Sequence, residues 1–287
     1  FLRGAAAVMA ADLASRPHTG LTVQLCGDAH LLNFGLYASP ERSLLFDLKD
    51  FDETFQGPFE WDVKRLAASV VVAGRENGHP EPRIQAASLA AVGAYRTAMR
   101  RLARRGELEV WYDCIDAESL APLLRSARRR RQAASSLTRA RRRTSLQALG
   151  KLTEVVDGRR RLVQDPPLLE PAGVSDTASL RKIFSDYRST LSEERRLLLD
   201  RYRFVDAARK VVGVGGVGMR CFVVLLAGRD TDDPLFLQIK EARKSVLEDH
   251  LPQGPYLHPG HRVVAGQRLM QAAGDIFLGY LWVTNPM

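Results

Sequence analysis

Two short segments carry carboxylate and carboxamide side chains at a spacing suited to metal-dependent phosphate transfer. Asp28 and Asn33 are close enough in sequence for a single turn to direct both toward one point, and Asp50 and Asp52 follow in a second segment. Phosphoryl transfer needs a carboxylate that orients or deprotonates the acceptor hydroxyl, and Mg²⁺ prefers oxygen ligands. Residues 27–62 therefore predict a Mg²⁺-dependent phosphate-transfer centre. In it Asp28 and Asn33 are catalytic, and Asn33 holds the metal with the two later aspartates.

Each acidic segment follows a predicted strand. Residues 21–25 alternate apolar and polar side chains and include β-branched residues, and residues 44–48 form a second short apolar run. Trp61 begins a stretch with apolar residues at helical spacing. The same periodicity predicts further helices over 3–15, 83–105, 115–151, 176–202 and 259–274. Residues 153–175 contain Pro-Pro and Pro-Ala-Gly and are predicted to be an extended connector.

The acidic segments resemble the motifs of a known enzyme group. The sequence Cys-Gly-Asp-Ala-His-Leu-Leu-Asn at 26–33 is similar to the H-G-D-x-H-x-x-N catalytic loop of aminoglycoside-phosphotransferase and choline-kinase-like enzymes. Asp-Phe-Asp at 50–52 resembles their I-D-[FW]-[DE] metal motif. Residues 57–62 resemble the segment that follows, which implies that Asp62 supports the catalytic loop from the start of a helix. Cys26 replaces the histidine that many of these enzymes have.

The whole stretch also resembles the DUF2252 family of uncharacterised bacterial proteins. This similarity includes residues 50–54 and Trp-Asp-Val-Lys-Arg-Leu-Ala at 61–67, and it extends over essentially the entire chain. The family name implies no activity, so the functional expectation comes from the kinase-like motifs.

Four side chains in or near these motifs have alternative roles. His30 is a supporting residue that either binds phosphate or orients Asp50, or it is a hydrogen-bonded structural histidine. Asp47 lies within the predicted strand and competes with Asp50 as the metal ligand, but its spacing fits the motif less well. Asp28 and Asn33 themselves would be a loop cap and a turn residue if the segment has only a structural role.

A glycine-rich segment later in the chain predicts the phosphate-binding half of a nucleotide site. Gly213, Gly215 and Gly218 form a G-x-G-x-x-G pattern, and Lys240 ends a Gln-Ile-Lys strand that resembles the V-A-I-K strand of kinases. A Rossmann turn would continue into a helix, whereas the apolar and β-branched residues from 221 to 226 favour a strand. A plain structural hairpin with an exposed lysine remains an alternative. Glu248 is the nearest candidate for the glutamate that pairs with this lysine in kinases.

These elements predict an α+β, two-lobed, protein-kinase-like fold. The catalytic loop precedes the glycine loop, which is the reverse of the usual kinase order, so we expect a circular permutation. The expected domains are a helical catalytic-loop lobe at 1–203 and a β-rich glycine-loop and lysine lobe at 204–287. The second lobe is expected to be truncated, and the chain to be a fragment.

Charge is concentrated in one segment of the chain. The formal net charge is +9, and nine arginines fall within 125–143. The clusters between Arg128 and Arg143 suit a polyanion that is contacted through phosphates, or they form a solvated helix face. The three cysteines are widely spaced and predict a reducing cytoplasm. No apolar run approaches the roughly 20 residues of a membrane span, so no membrane partner is expected.

The sequence thus predicts an ATP- and Mg²⁺-dependent phosphotransferase that acts on a hydroxyl group of an unidentified, small-molecule acceptor. One alternative is an enzyme of the same type that transfers AMP. Others are a non-catalytic nucleotide-binding module and a polyanion-binding protein that acts through the arginines.

Overall fold

The computed structural model describes residues 2–142, 145–211, 219–230 and 232–283, without the side chains of 174–176. It is a mixed α+β structure of helices and small antiparallel sheets, which confirms the predicted class at that level. The α-helices of the described residues are Ala6–Ala14 (α1), Glu60–Glu76 (α2), Glu81–Leu102 (α3), Glu107–Trp111 (α4), Ala117–Leu120 (α5), Ala127–Arg141 (α6), Ser145–Leu152 (α7), Val174–Ser189 (α8), Glu193–Leu199 (α9) and Pro259–Met270 (α10). The strands are Thr22–Leu25 (β1), Phe34–Ala38 (β2), Leu44–Leu48 (β3), Phe55–Pro58 (β4), Thr153–Val156 (β5), Arg159–Leu162 (β6), Leu169–Pro171 (β7), Arg203–Lys210 (β8), Cys221–Ala227 (β9) and Pro234–Lys240 (β10).

The chain forms two compact units that are each assembled from separate parts of the sequence. The first unit contains Phe1–Ala133 and Arg243–Asp275, and the second contains Ala134–Ala242 and Ile276–Met287. The domain boundary predicted between residues 203 and 204 lies within the second unit.

Two strand pairs and two helices build the frame of the first unit. Strands β1 and β4 pair antiparallel, and β2 pairs with β3 in a hairpin. A core cluster joins α1, β1, β4, α2 and the 3-10 helix Val246–Asp249 through its buried apolar side chains. Its members are Ala10, Leu13, Leu25, Phe55, Trp61 and Leu247. Burial of these side chains fixes the ends of β1 and β4 against the start of α2.

Helices α2 and α3 form a hairpin in the same unit. Gly78 ends α2 with a φ of 66°, a left-handed conformation that glycine adopts without steric cost. Ile84 is buried, and a Cβ atom on Gly74 would lie 2.7 Å from its side chain, so the small residue allows the two helices to approach closely. Most of α3 beyond Ile84 is exposed.

The second unit is built around a four-stranded antiparallel sheet in the order β10-β9-β8-β7. Strand β9 is central and nearly all of its side chains are buried, as its unbroken apolar sequence predicts. Helices α8 and α9 cover one face through a cluster that includes Leu180, Phe184 and Leu199.

The prediction of an extended connector over 153–175 is wrong. These residues contain the β5–β6 hairpin, β7 and the start of α8. The hairpin turns at Asp157 and Gly158, whose φ values are 50° and 71°. An Asp-Gly pair that follows two β-branched residues is a strong hairpin indicator, and the Pro-Pro pair lies beyond the hairpin, so it does not prevent the strands from pairing.

Among the helices of residues 2–142, 145–211, 219–230 and 232–283, none has both the length and the apolar character that a membrane span requires.

Candidate functional site

The loop at 26–33, between β1 and β2, has a backbone shape that depends on glycine. Gly27 has a φ of 83°, and a Cβ atom at this position would lie 2.6 Å from the carbonyl carbon of Glu53. No other residue type fits both the conformation and the contact. The preceding Cys26 is fully buried, and burial raises the pKa of its thiol, which therefore stays protonated. Cys26 is a packing residue of the loop.

Asp62, in the first turn of α2, fixes the start of this loop. Its carboxylate accepts hydrogen bonds from the backbone N–H groups of Cys26, at 2.7 Å, and Gly27, at 3.1 Å. Burial raises the pKa of Asp62 to about 6, although the two N–H donors oppose the shift. The negative charge of Asp28 adds to the increase. The position of Asp62 at the start of a helix is the one that the motif resemblance implies.

Asn33 joins the loop at 26–33 to the loop at 49–54, which connects β3 to β4. Its Nδ2 atom donates to the carbonyl oxygens of Asp28, at 3.2 Å, and Asp50, at 3.0 Å. Its Oδ1 atom accepts from the backbone N–H groups of Asp50, at 2.8 Å, and Lys49, at 3.3 Å. Asn33 is 3% exposed. A single buried carboxamide therefore holds the backbones of both acidic loops together.

The carboxylate of Asp28 is partly exposed and has two cationic or ionisable neighbours. Its Oδ1 atom accepts a hydrogen bond from Nε of Arg65, and its Oδ2 atom lies 3.6 Å from Nε2 of His30. The Asp28 side chain retains 22% of its exposure, which leaves it accessible to a ligand.

Arg65 is a site residue to which the sequence analysis gave no role. Its side chain is 3% exposed, and besides Asp28 it donates to the carbonyl oxygen of Leu2 at 2.8 Å. Arg65 follows Asp62 by one helical turn, so the two side chains lie on the same face of α2 and both meet the loop at 26–33. That spacing is the indication in the sequence that could have identified it.

His30 makes a hydrogen bond within its own loop. Its Nδ1 atom accepts from the backbone N–H of Leu32 at 3.1 Å, which assigns the proton of the neutral ring to Nε2, facing Asp28. Burial lowers the pKa of His30, and the positive charge of Arg65 acts in the same direction, while Asp28 opposes it. These contacts are those of a structural histidine that also limits where Asp28 can point.

The two aspartates that competed for the metal role have different surroundings. Asp47 accepts hydrogen bonds from the N–H groups of Leu48, at 2.8 Å, and Ala272, at 3.0 Å, so both of its oxygens bind backbone. Asp50 is exposed, and within the described ranges its carboxylate accepts one backbone bond, at Oδ1 from the N–H of Asp52 at 3.2 Å. Asp50 is therefore the better placed of the two to bind an external cation. Asp52 is half-buried beside it.

Arg262 of α10 supports the loop at 49–54 from behind. This fully buried side chain donates to the carbonyl oxygens of Thr54, at 2.6 Å, and Asp52, at 2.9 Å. Its Nε atom lies 3.3 Å from Oε1 of Glu248, an ion-pair contact without hydrogen-bond alignment. Glu248 also accepts from the N–H of Ser245 at 2.8 Å. Glu248 thus belongs to the first unit and to the Arg262 contact, whereas Lys240 belongs to the second unit.

The donor set suits Mg²⁺ only together with a phosphate. In the described part of the chain, no group of three His, Cys, Asp or Glu side chains is arranged to hold a metal ion. Mg²⁺ is commonly bound by one or two carboxylates, with phosphate oxygens and water completing its shell. Asp50 and Asp52 match that pattern. Asn33 fits it less well, because its Oδ1 atom already accepts two backbone bonds.

The phosphate-binding residues predicted in the second unit are partly described. Lys240 is the last residue of β10, is exposed, and lies opposite Cys221 of β9. Gly213, Gly215 and Gly218 lie outside the described residues. Strands β8 and β9, on either side of them, pair antiparallel. A strand rather than a helix follows the glycines, which contradicts the Rossmann alternative.

Helix α6 carries most of the arginines between Arg128 and Arg143. It has no buried residue among those described, and Arg143 lies outside the described part of the chain. Both alternatives for this segment, a polyanion contact and a solvated helix face, agree with this exposure.

The fold and site define a mixed α+β protein with two acidic loops joined by a buried asparagine. The chain matches the family described as "Uncharacterized protein conserved in bacteria (DUF2252)" over residues 1–285, and it belongs to this family. No curated protein and no solved structure matches it.

Proposed function

We propose that the protein is a kinase-like, Mg²⁺- and ATP-dependent phosphotransferase that acts on a hydroxyl group of a small molecule. The observation that carries this proposal is the pair of acidic loops joined by Asn33. The carbonyl oxygens of Asp28 and Asp50 lie within 3.2 Å of one nitrogen atom, so the two carboxylate-bearing backbones are adjacent. The similarity of both loops to aminoglycoside-phosphotransferase and choline-kinase-like motifs supports the same function. It also supports a permuted kinase-like fold.

In this proposal Asp28 orients the acceptor hydroxyl. The buried guanidinium of Arg65 holds this carboxylate in place through a hydrogen bond to its Oδ1 atom. Phosphoryl transfer passes through a loose transition state in which positioning matters more than early removal of the proton. The contact with Arg65 is therefore compatible with a carboxylate that positions the hydroxyl.

Asp50 and Asp52 would hold Mg²⁺, with Asn33 fixing the loop that carries them. When bound, the ion would neutralise charge on the phosphate oxygens. Lys240 and the glycines Gly213, Gly215 and Gly218 remain the predicted ligands of the triphosphate. Transfer of AMP and non-catalytic nucleotide binding remain the alternatives within the same class of site.

Calorimetric titration with ATP in the presence of Mg²⁺ tests the proposal. We expect the parent to bind and Asp50→Ala to bind at least about tenfold more weakly, the usual effect of disturbing a metal site. Asp12→Ala is the control, because it removes an exposed carboxylate from α1. Absence of ATP binding by the parent, or equal binding by Asp50→Ala, would contradict the proposal.

Turnover separates the alternatives. The mass added to an acceptor distinguishes transfer of phosphate from transfer of AMP. Asp28→Asn is the sharper variant for the catalytic role, because it removes the charge but keeps an oxygen that can accept from Arg65. Turnover that this variant abolishes excludes the non-catalytic alternative, whereas ATP binding without turnover in the parent supports it.

A further inference from the structure

The second unit contains a cavity of about 450 Å³ beside the β5–β6 hairpin. Its walls come from β6, from the first half of β8, and from the end of β9 with the start of β10. This is the end of the β8–β9 pair away from the segment that joins the two strands, since Arg203 lies opposite Ala227. The volume falls within the range of sites that bind small organic molecules.

The cavity is lined by an excess of positive charge. Four arginines line it, Arg159, Arg160 and Arg161 from β6 and Arg203 from β8, against a single carboxylate, that of Asp206. Asp206 is already used by the fold, because its Oδ2 atom accepts from the N–H of Leu162 at 2.8 Å and its Oδ1 atom from the N–H of Ala207 at 2.9 Å. One carboxylate cannot balance four arginines, so the lining residues carry a net positive charge.

One of these guanidinium groups has a buried donor without an acceptor in the described part of the chain. The Nε atom of Arg160 is buried and has no hydrogen-bond partner, although Nη1 donates to Thr153 at 3.1 Å. Its Nη2 atom lies 3.9 Å from Asp232, at the limit of an ion pair. No carboxylate of a described residue forms an ion pair with the other three arginines of the lining. A buried donor without an acceptor is costly, so an external acceptor would stabilise this arrangement.

The remaining wall of the cavity is apolar. Leu149 and Leu225 are buried and belong to one core cluster, and both line the cavity. An inorganic ion would use the arginines but leave this apolar surface uncovered. We propose that the cavity binds a phosphate monoester that carries an apolar group, with the phosphate held by the planar guanidinium groups.

This site does not depend on the proposed phosphotransferase activity. All of its lining residues belong to the second unit, whereas Asp28, Asn33 and Asp50 belong to the first. It also differs from the polyanion site predicted on 128–143, because none of those arginines lines the cavity.

Calorimetric titration with 1-naphthyl phosphate tests the proposal, with 1-naphthol and inorganic phosphate as comparison ligands. We expect the ester to bind. Each comparison ligand should bind at least about tenfold more weakly, since 1-naphthol lacks the phosphate and inorganic phosphate lacks the apolar group. Absence of ester binding, which would mean that water satisfies Arg160, overturns the proposal. Equal binding of inorganic phosphate also overturns it.

Substitutions in the cavity lining test whether the ester binds there. Arg161→Ala and Arg203→Ala remove exposed guanidinium groups at the cavity, and each should weaken binding of the ester about tenfold. Arg209→Ala is the matched control, because it removes the same charge from the other end of β8. Asp50→Ala should leave this binding unchanged, which separates the cavity from the proposed ATP site. Equal losses in the control and the cavity variants, or loss in Asp50→Ala, would contradict the assignment.

Discussion

Asp62→Asn separates the support that Asp62 gives to the loop at 26–33 from the cost of burying its charge. The parent carboxylate accepts two backbone N–H bonds, from Cys26 and Gly27. An asparagine keeps one acceptor oxygen and presents an N–H group to the second donor. Leaving one N–H without an acceptor costs about 1–3 kcal/mol. We therefore expect the loop to lose its fixed start, and the proposed phosphotransferase to lose activity, in a protein that still folds.

The same substitution should also change how the free energy of unfolding depends on pH, in a direction that can be worked out in advance. Burial raises the pKa of Asp62 from 3.8 to about 6. Below pH 3.8 both the folded and the unfolded state hold the proton, so the contribution of this group to stability is fully present. Between pH 3.8 and 6 the unfolded state releases the proton first, and the contribution is lost. By pH 7 the free energy of unfolding of the parent falls by about 3 kcal/mol from this group alone.

The asparagine of the variant has no proton to lose, so Asp62→Asn does not share this decline. Relative to the parent, the variant should gain about 2.4 kcal/mol between pH 4 and pH 7, because about 0.5 kcal/mol of the decline has already occurred at pH 4. Urea denaturation of both proteins at the two pH values measures the difference, in which the other titrating groups cancel. Asp12→Asn, at an exposed position, is the control and should shift by less than about 0.5 kcal/mol. A stability difference that stays constant, or that moves the other way, would refute a buried, charge-destabilised Asp62.

Two further predictions concern the same loop. Gly27→Ala should lower the free energy of unfolding by at least about 2 kcal/mol more than Gly20→Ala in urea denaturation, because both glycines have a φ near 80° but only Gly27 also contacts Glu53. Equal losses would mean that the close approach to Glu53 does not matter. Arg65→Met should cost about 2–4 kcal/mol, since it leaves Asp28 and the carbonyl of Leu2 without their donor. Lys64→Met removes the same charge one residue earlier and should cost less than about 0.5 kcal/mol in the same assay.

Local sequence patterns predicted the elements that carry the site. Strand β3 has the predicted bounds, and α2 begins one residue before Trp61, where the predicted helix starts. Both elements were predictable because short apolar runs and helical periodicity depend only on neighbouring residues. Strand β4 was not predicted. Its sequence, Phe-Gln-Gly-Pro, is typical of a turn, and it is a strand because it pairs with β1, about thirty residues earlier.

The side chains that support the site from other elements were harder to predict than those within its two loops. Asp28, Asn33 and Asp50 were identified because their types and spacing suit metal-phosphate chemistry. Arg65 meets Asp28 across 37 residues of sequence, and Arg262 meets Thr54 across 208. No local pattern links Arg262 to Thr54, and the helical spacing from Asp62 indicates Arg65 only once the role of Asp62 is known.

The bonds of Arg262 set an order of events during synthesis. Thr54 leaves the ribosome 208 residues before the arginine that holds its carbonyl oxygen. At about 5–20 residues per second, the loop at 49–54 waits roughly 10–40 s for that donor. The two acidic loops emerge before the sheet of the second unit, yet the loop at 49–54 reaches its final geometry only after that sheet has been translated. A nascent chain that stops before α10 would carry both acidic motifs but would lack the fold that holds Asp52 and Thr54 in place.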